Sequence, residues 1–213
     1  NAWEYGWETN REELKENSLK IFDSYLKNGF TPAGFFKEFV NLNRGFEEPV
    51  HSIRRQSEGI YAILHFLAYE KKQGRKYPEW EQRVKQMFEM FLKLQNADGS
   101  FPRKFRDDFT IVDKSGGSTP SATLPLVLGY KYFKDKRYLA SARKTAEYLE
   151  KELISKADYF SSTLDANCED KEASLYAATA TYYLSLITKG EEHKHYADLT
   201  KKAAYFALSW YYL

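Results

Sequence analysis

The residues best placed to do chemistry are the acids of Asp165-Ala-Asn-Cys-Glu-Asp-Lys-Glu172. Glu169, Asp170 and Glu172 stand where an uncharged helical stretch begins. One of them could serve as a proton donor or acceptor, given a second carboxylate across a cleft. Asp107, Asp108, Glu47 and Glu48 lie on other connecting segments and could supply it. The plainer alternative is that carboxylates at a helix start cap it and complement its dipole. Glu169, Asp170 and Asp107 are therefore the candidate catalytic residues.

A second group could bind a ligand. Arg103 alternates with aromatic residues in Phe101-Pro-Arg-Lys-Phe-Arg106. A guanidinium fork suits a carboxylate, and an aromatic face suits a sugar ring. Arg55 opens a helix, where its charge opposes the dipole and calls for a partner. Phe101, Phe105, Arg103, Arg55, Asp165 and Glu48 are the candidate substrate-binding residues. A solvated loop tethered by aromatics is the competing reading. Gly116-Gly117-Ser118-Thr119 could form an anion nest at a helix start, but it lacks the lysine and spacing of a phosphate loop. His65 falls within an apolar helix and reads as a core histidine. His193 and His195 diverge on a helix, so they make poor joint ligands. Neither a metal site nor a cofactor is expected.

The elements that must hold these groups are helical hairpins. Ala173 to Thr188 carries no charge, which marks a buried helix. A short break precedes Tyr196, Leu199, Ala203, Phe206 and Trp210, which recur at helical spacing as one apolar stripe. The same pair of a buried inner helix and an amphipathic outer helix occurs twice upstream. Ile60–Tyr69 precedes the stripe Trp80, Val84, Met87, Phe91 and Leu94. Leu124–Phe133 precedes Tyr138, Ala142, Ala146, Leu149 and Leu153. Each outer helix opens near a tyrosine, Tyr77, Tyr138 or Tyr196, 61 and 58 residues apart. Leu67, Leu128 and Leu186 stand ten positions before them. Such a period predicts an ordered array with the inner helices side by side.

Turns from inner to outer helix are short. The connections back, 29–51, 97–118 and 155–168, are long and emerge beside the inner-helix starts. Long loops on a rigid scaffold carry sites, so these three are expected to converge on one concave face. At the N-terminus, residues 1–9 read as an extended arm, and Asn10 as the cap of a first outer helix. The first inner helix is expected from about Ser52 to Gln73, Thr119 is the expected cap of the second, and Asn167 and Asp170 can cap the last in capping-box spacing.

Composition narrows the partners. The 213 residues suit one domain over 1–213. With 32 basic and 30 acidic residues the charges nearly balance, which argues against nucleic acid. One cysteine, Cys168, excludes an internal disulfide. The uncharged run at 173–188 falls short of the roughly 20 residues of a membrane span. The chain starts without methionine and stops within a stripe, so it reads as a piece of a longer protein.

Paired inner and outer helices resemble the α/α toroids, which include six-hairpin glycosidases, polysaccharide lyases and terpenoid cyclases. Phe91-Leu-Lys-Leu-Gln-Asn-Ala-Asp-Gly-Ser-Phe101 is similar to a turn repeated in those families. The acidic start at 165–172 resembles those of carbohydrate-active barrels. No cyclase-type acid motif is present. The resemblance implies an all-α, α/α-toroid chain of about three and a half hairpins, an incomplete barrel. It implies glycoside hydrolase or lyase chemistry on a poly- or oligosaccharide, neutral or acidic, and a secreted or periplasmic setting. The alternative is a non-catalytic helical-repeat domain that binds glycan or protein on its long-loop face.

Overall fold

The computed structural model describes residues 2–41, 43, 46–47, 49–160 and 168–211. Its helices are α1 (Ala2–Glu8), α2 (Glu12–Asn28), α3 (Ile53–Lys72), α4 (Pro78–Leu94), α5 (Thr119–Phe133), α6 (Lys136–Tyr148), α7 (Lys171–Ser185) and α8 (Gly190–Ser209). Five short strands fill the connections: β1 (Val40–Asn41), β2 (Phe46–Glu47), β3 (Val50–Ser52), β4 (Lys104–Arg106) and β5 (Ile111–Asp113).

The inner helices α3, α5 and α7 pack side by side in chain order, each paired with its outer partner α4, α6 or α8. Leu67 and Leu128 lie on α3 and α5, and Leu186 follows the last residue of α7. The period therefore marks successive hairpins but not one structural position, since Leu67 is buried in its helix and Leu186 is 56% exposed just past α7. Helix α5 is buried at nearly every position from Thr119 to Gly129. Helix α7 buries small residues, Ala173, Ser174, Ala177 and Ala180, which let its neighbours approach closely. It is not buried all round, because Leu175 and Tyr182 are exposed.

Local signals set the helix limits. Ser52 caps α3 by accepting from the Arg55 N–H at 3.2 Å. Asp170 caps α7 by accepting from the Glu172 N–H at 2.8 Å. Helix α5 starts one residue earlier than expected. Thr119 is its first residue, Pro120 sits in the first turn, and Pro125 is accommodated inside it. Gly99 takes φ +89°, and a Cβ there would strike the Lys144 carbonyl. Only glycine meets both demands at that turn.

Four expectations are corrected. Residues 2–8 are helical rather than extended, because Trp3 packs into the core and donates its Nε1–H to Glu70 at 2.8 Å. Arg11, not Asn10, occupies the N-cap position of α2, and Asn10 instead accepts from Lys15 Nζ at 3.0 Å. His65 is exposed rather than set in the core, and its ring meets that of Tyr61 edge-on at 4.5 Å. The stripe of α8 buries Tyr196, Leu199, Ala203 and Ala207 but leaves Trp210 at 43% exposure, because the helix ends at Ser209.

Strands of two or three residues join the long connections. β3, β4 and β5 form one antiparallel sheet, with β4 in the middle and His51 opposite Phe105. Connections 29–51 and 97–118 thus meet. Beneath them lies an aromatic core. Phe35 packs edge-on against Phe105 at 4.9 Å, and Phe88 stacks on Tyr138 at 4.3 Å. Among the described residues no helix is long and apolar enough to cross a membrane.

Candidate active site

A cleft of about 370 Å³ opens along the first turns of the three inner helices. Helix α3 contributes Ser57, Glu58 and Tyr61. Helix α7 contributes Glu172, Tyr176 and Thr179, and Ser121 and Leu124 of α5 lie between. Arg54, Glu58 and Tyr61 recur at four and then three residues, as do Glu172, Tyr176 and Thr179. That spacing places each set on one helical face. Packing α3 and α7 on either side of α5 then turns the two faces toward the same cleft.

Four side chains form a connected network. Arg54 donates from Nε to Glu58 Oε1 at 2.9 Å, and its Nη2 lies 3.2 Å from Glu172 Oε2. The Tyr176 hydroxyl donates to Glu58 Oε1. One guanidinium therefore holds two carboxylates that come from different hairpins. The Glu58 and Glu172 side chains are about half exposed, while Arg54 is more covered. Burial works against the Arg54 charge, but Tyr176 and the two carboxylates outweigh it and raise its pKa. Burial, then the hydrogen bond to Glu58, raises the Tyr176 pKa. Tyr176 thus keeps its proton and acts as a donor. Deeper in, the Tyr61 and Tyr183 hydroxyls lie 2.6 Å apart.

The residues singled out from sequence fall elsewhere. Asp170 is occupied as the cap of α7. Glu169 is exposed, and its Oε2 accepts from the Tyr159 N–H at 3.2 Å. Asp107 sits past β4, where its Oδ1 accepts from Thr31 Oγ1 at 2.8 Å and contacts His51 Nε2 at 2.7 Å. It joins two long connections but does not line the cleft. Arg55 lies on a different side of α3 from Arg54 and reaches Glu38 at 3.4 Å. Arg103 pairs with Asp113. Phe101 and Phe105 are fully buried. The expectation that they stack on a ligand is corrected: both rings belong to the core and offer no free face. Glu48 and Asp165 lie outside the described residues.

The convergence of three long connections holds for 29–51 and 97–118. Half of the third, residues 161–167, lies outside the described residues. Gly116–Ser118 forms a buried single turn rather than an open nest, with Gly116 against the Tyr148 ring. Cys168 is exposed. Among the described residues no cluster of three His, Cys, Asp or Glu could hold a metal ion. Sequence reasoning passed over Glu58, Tyr176 and Arg54 as a unit. The signal was present in the matching i, i+4, i+7 spacing on two inner helices.

Inner helices side by side with outer helices behind them define an incomplete α/α toroid. No family model matches the sequence. Among solved structures, the chain is similar to an unsaturated glucuronyl hydrolase specific for heparin, at 17% identity and a TM-score of 0.63. That match covers 86% of this chain and 52% of the other. It is also similar to the unsaturated glucuronyl hydrolase from Streptococcus agalactiae, at 14% identity and a TM-score of 0.65, over 98% of this chain and 55% of that one. A third structure, UGL with dGlcA-Glc-Rha-Glc, matches at 14% identity and a TM-score of 0.67, over 92% and 56% of the two chains. The chain spans about half the length of the structures it matches. At these identities the likeness establishes the fold.

Proposed function

We propose that the protein carrying this chain is a glycoside hydrolase that acts on an oligosaccharide ending in an unsaturated uronic acid, with Glu58 and Glu172 as its acid/base pair. The carrying observation is the pair itself: two half-exposed carboxylates, bridged by Arg54, facing one cleft at the inner-helix starts. In such a pair one carboxyl group protonates the glycosidic oxygen as its bond to the anomeric carbon breaks. The other, ionised, accepts a proton from the water that attacks that carbon. Arg54 keeps the two groups adjacent, and Tyr176 orients Glu58. The acidic start of α7 keeps the role given to it from sequence, with the reacting group moved from Glu169 to Glu172.

Sugar class is supported by the likeness to unsaturated glucuronyl hydrolases and by the mixed charge and tyrosines of the cleft. The test uses the complete protein and unsaturated glucuronyl disaccharides, followed by chromatography for release of the two monosaccharides. Glu172→Gln and Glu58→Gln should each lower kcat by about 10²-fold or more without lowering the melting temperature. If wild type neither binds nor cleaves these sugars, the reading is wrong. Binding without cleavage would favour a non-catalytic glycan-binding domain.

A further inference from the structure

Several buried serines and threonines on the inner helices return their hydroxyl protons to the backbone about one turn back. Ser121 donates to the Ser118 carbonyl at 2.7 Å, Ser174 to Lys171 at 2.7 Å, Thr181 to Ala177 at 3.0 Å and Ser185 to Tyr182 at 2.7 Å. Ser57 breaks this habit. It is 1% exposed, and among the described residues its Oγ has no hydrogen-bond partner. A buried hydroxyl with no partner is unfavourable, so its presence needs a reason.

Its position supplies one. Ser57 precedes Glu58 on α3 and forms part of the cleft wall, which Ser121 of α5 also lines. Ser121 has given its proton to the Ser118 carbonyl, so its oxygen can still accept. A hydroxyl both donates and accepts, and a ligand hydroxyl is its natural complement. A sulfate or phosphate fits poorly, because Arg54, the cation beside the cleft, already holds two carboxylates. Leu124 and Leu175 add apolar surface suited to the C–H face of a sugar ring.

We infer that the wall between α3 and α5 is a hydroxyl-recognition subsite, in which Ser57 Oγ hydrogen-bonds one ligand hydroxyl and thereby sets specificity. The scissile bond assumed to lie at Glu58 and Glu172 rests on the hydrolase reading, whereas the hydroxyl contact does not. A site built to pair a hydroxyl rejects the analogue that lacks it, since its own polar group is then stranded.

The experiment compares an unsaturated glucuronyl disaccharide with each of its monodeoxy forms by calorimetry, on the complete protein and on Ser57→Ala. One monodeoxy form should bind wild type about tenfold more weakly than the parent. Ser57→Ala should weaken the parent by a similar factor, leave that form unchanged and so erase the discrimination, without lowering the melting temperature. An equal loss for every form, or no loss, overturns the inference. A second arm, a crystal structure grown in ethylene glycol, decides the matter if the disaccharide does not bind at all. A diol hydroxyl on Ser57 Oγ would uphold the subsite while the hydrolase reading fell. A Ser57 hydroxyl turned back to the Ile53 carbonyl, with no diol present, would overturn the subsite.

Discussion

Glu70 offers a direct test of how the N-terminal helix is held. Its carboxylate is buried and accepts from Trp3 Nε1 at 2.8 Å and from Arg75 at 2.7 and 2.6 Å. Arg75 also lies 3.9 Å from the centre of the Trp7 ring, so α1 is tied to the end of α3 at both of its tryptophans. Replacing Glu70 with Ala would strand the Trp3 N–H and leave Arg75 without its partner. Breaking a buried pair from one side costs about 3–5 kcal/mol. Arg75 is 30% exposed and recovers some hydration, which points to the lower end, about 3 kcal/mol. Glu70→Gln keeps one acceptor and should cost about 1–2 kcal/mol.

A pH arm sharpens this test. Burial pushes the Glu70 carboxyl up, but hydrogen bonds from Arg75, Trp3 and Tyr77 outweigh it and leave its pKa below the ordinary 4.5. A carboxyl lowered on folding contributes stability above its unfolded pKa and loses it as pH falls through the folded one. Wild type should therefore lose this contribution from about pH 4.5 downward, and Glu70→Gln should lack that part of the acid dependence. Urea melts at a series of pH values measure both effects. A Glu70→Ala loss under about 1 kcal/mol at neutral pH, or an unchanged acid profile in Glu70→Gln, would show that α1 is not held in this way.

Phe101→Ala should destabilise by about 3–5 kcal/mol, read from a chemical melt; a loss near zero would mean that the ring is not the core residue described. Gly99→Ala should cost more than about 1 kcal/mol, because it adds a Cβ at positive φ against the Lys144 carbonyl; calorimetry would show an unchanged melting temperature if the turn can relax. Trp210→Ala, at an exposed position, should stay within about 0.5 kcal/mol. A loss of several kcal/mol in the same melt would place that ring against a partner.

The hairpins were legible because each inner helix excludes charge over three or more turns while its partner keeps a stripe at helical spacing. Ser52, Asp170, Pro78 and Gly74 marked helix limits because a cap or a fixed dihedral acts locally. The strands were not legible. Two or three residues are too few for a period-two pattern, and the pairing of β3 with β4 spans more than fifty positions. Helix α1 was misread because Trp3, Tyr5 and Trp7 alternate, while the bond from Trp3 to Glu70 spans 67 positions. At the candidate site, the acidic start of α7 drew notice, but sequence could not separate a capping acid from one a turn deeper. Phe101 and Phe105 looked like ligand platforms because composition does not tell a ring under a sheet from one on a rim.

The small sheet also governs how the molecule comes apart. An array whose hairpins touch only their neighbours unfolds piecemeal, since each interface opens without consulting the rest. Strands β3 and β4 break that independence, because they tie the entry to α3 to the segment that leads into α5. The first two hairpins should then form one cooperative unit, and the amides of β3 and β4 should exchange with solvent only as slowly as those of α3 and α5. Among the described residues the α7–α8 hairpin shares no strand of that sheet and joins the array mainly through α5 and α6. That hairpin should open at lower cost, carrying Glu172 and Tyr176 away from Arg54 and Glu58. The candidate site thus straddles the boundary between a stiff unit and a softer one, where a modest swing suffices to admit or release a ligand.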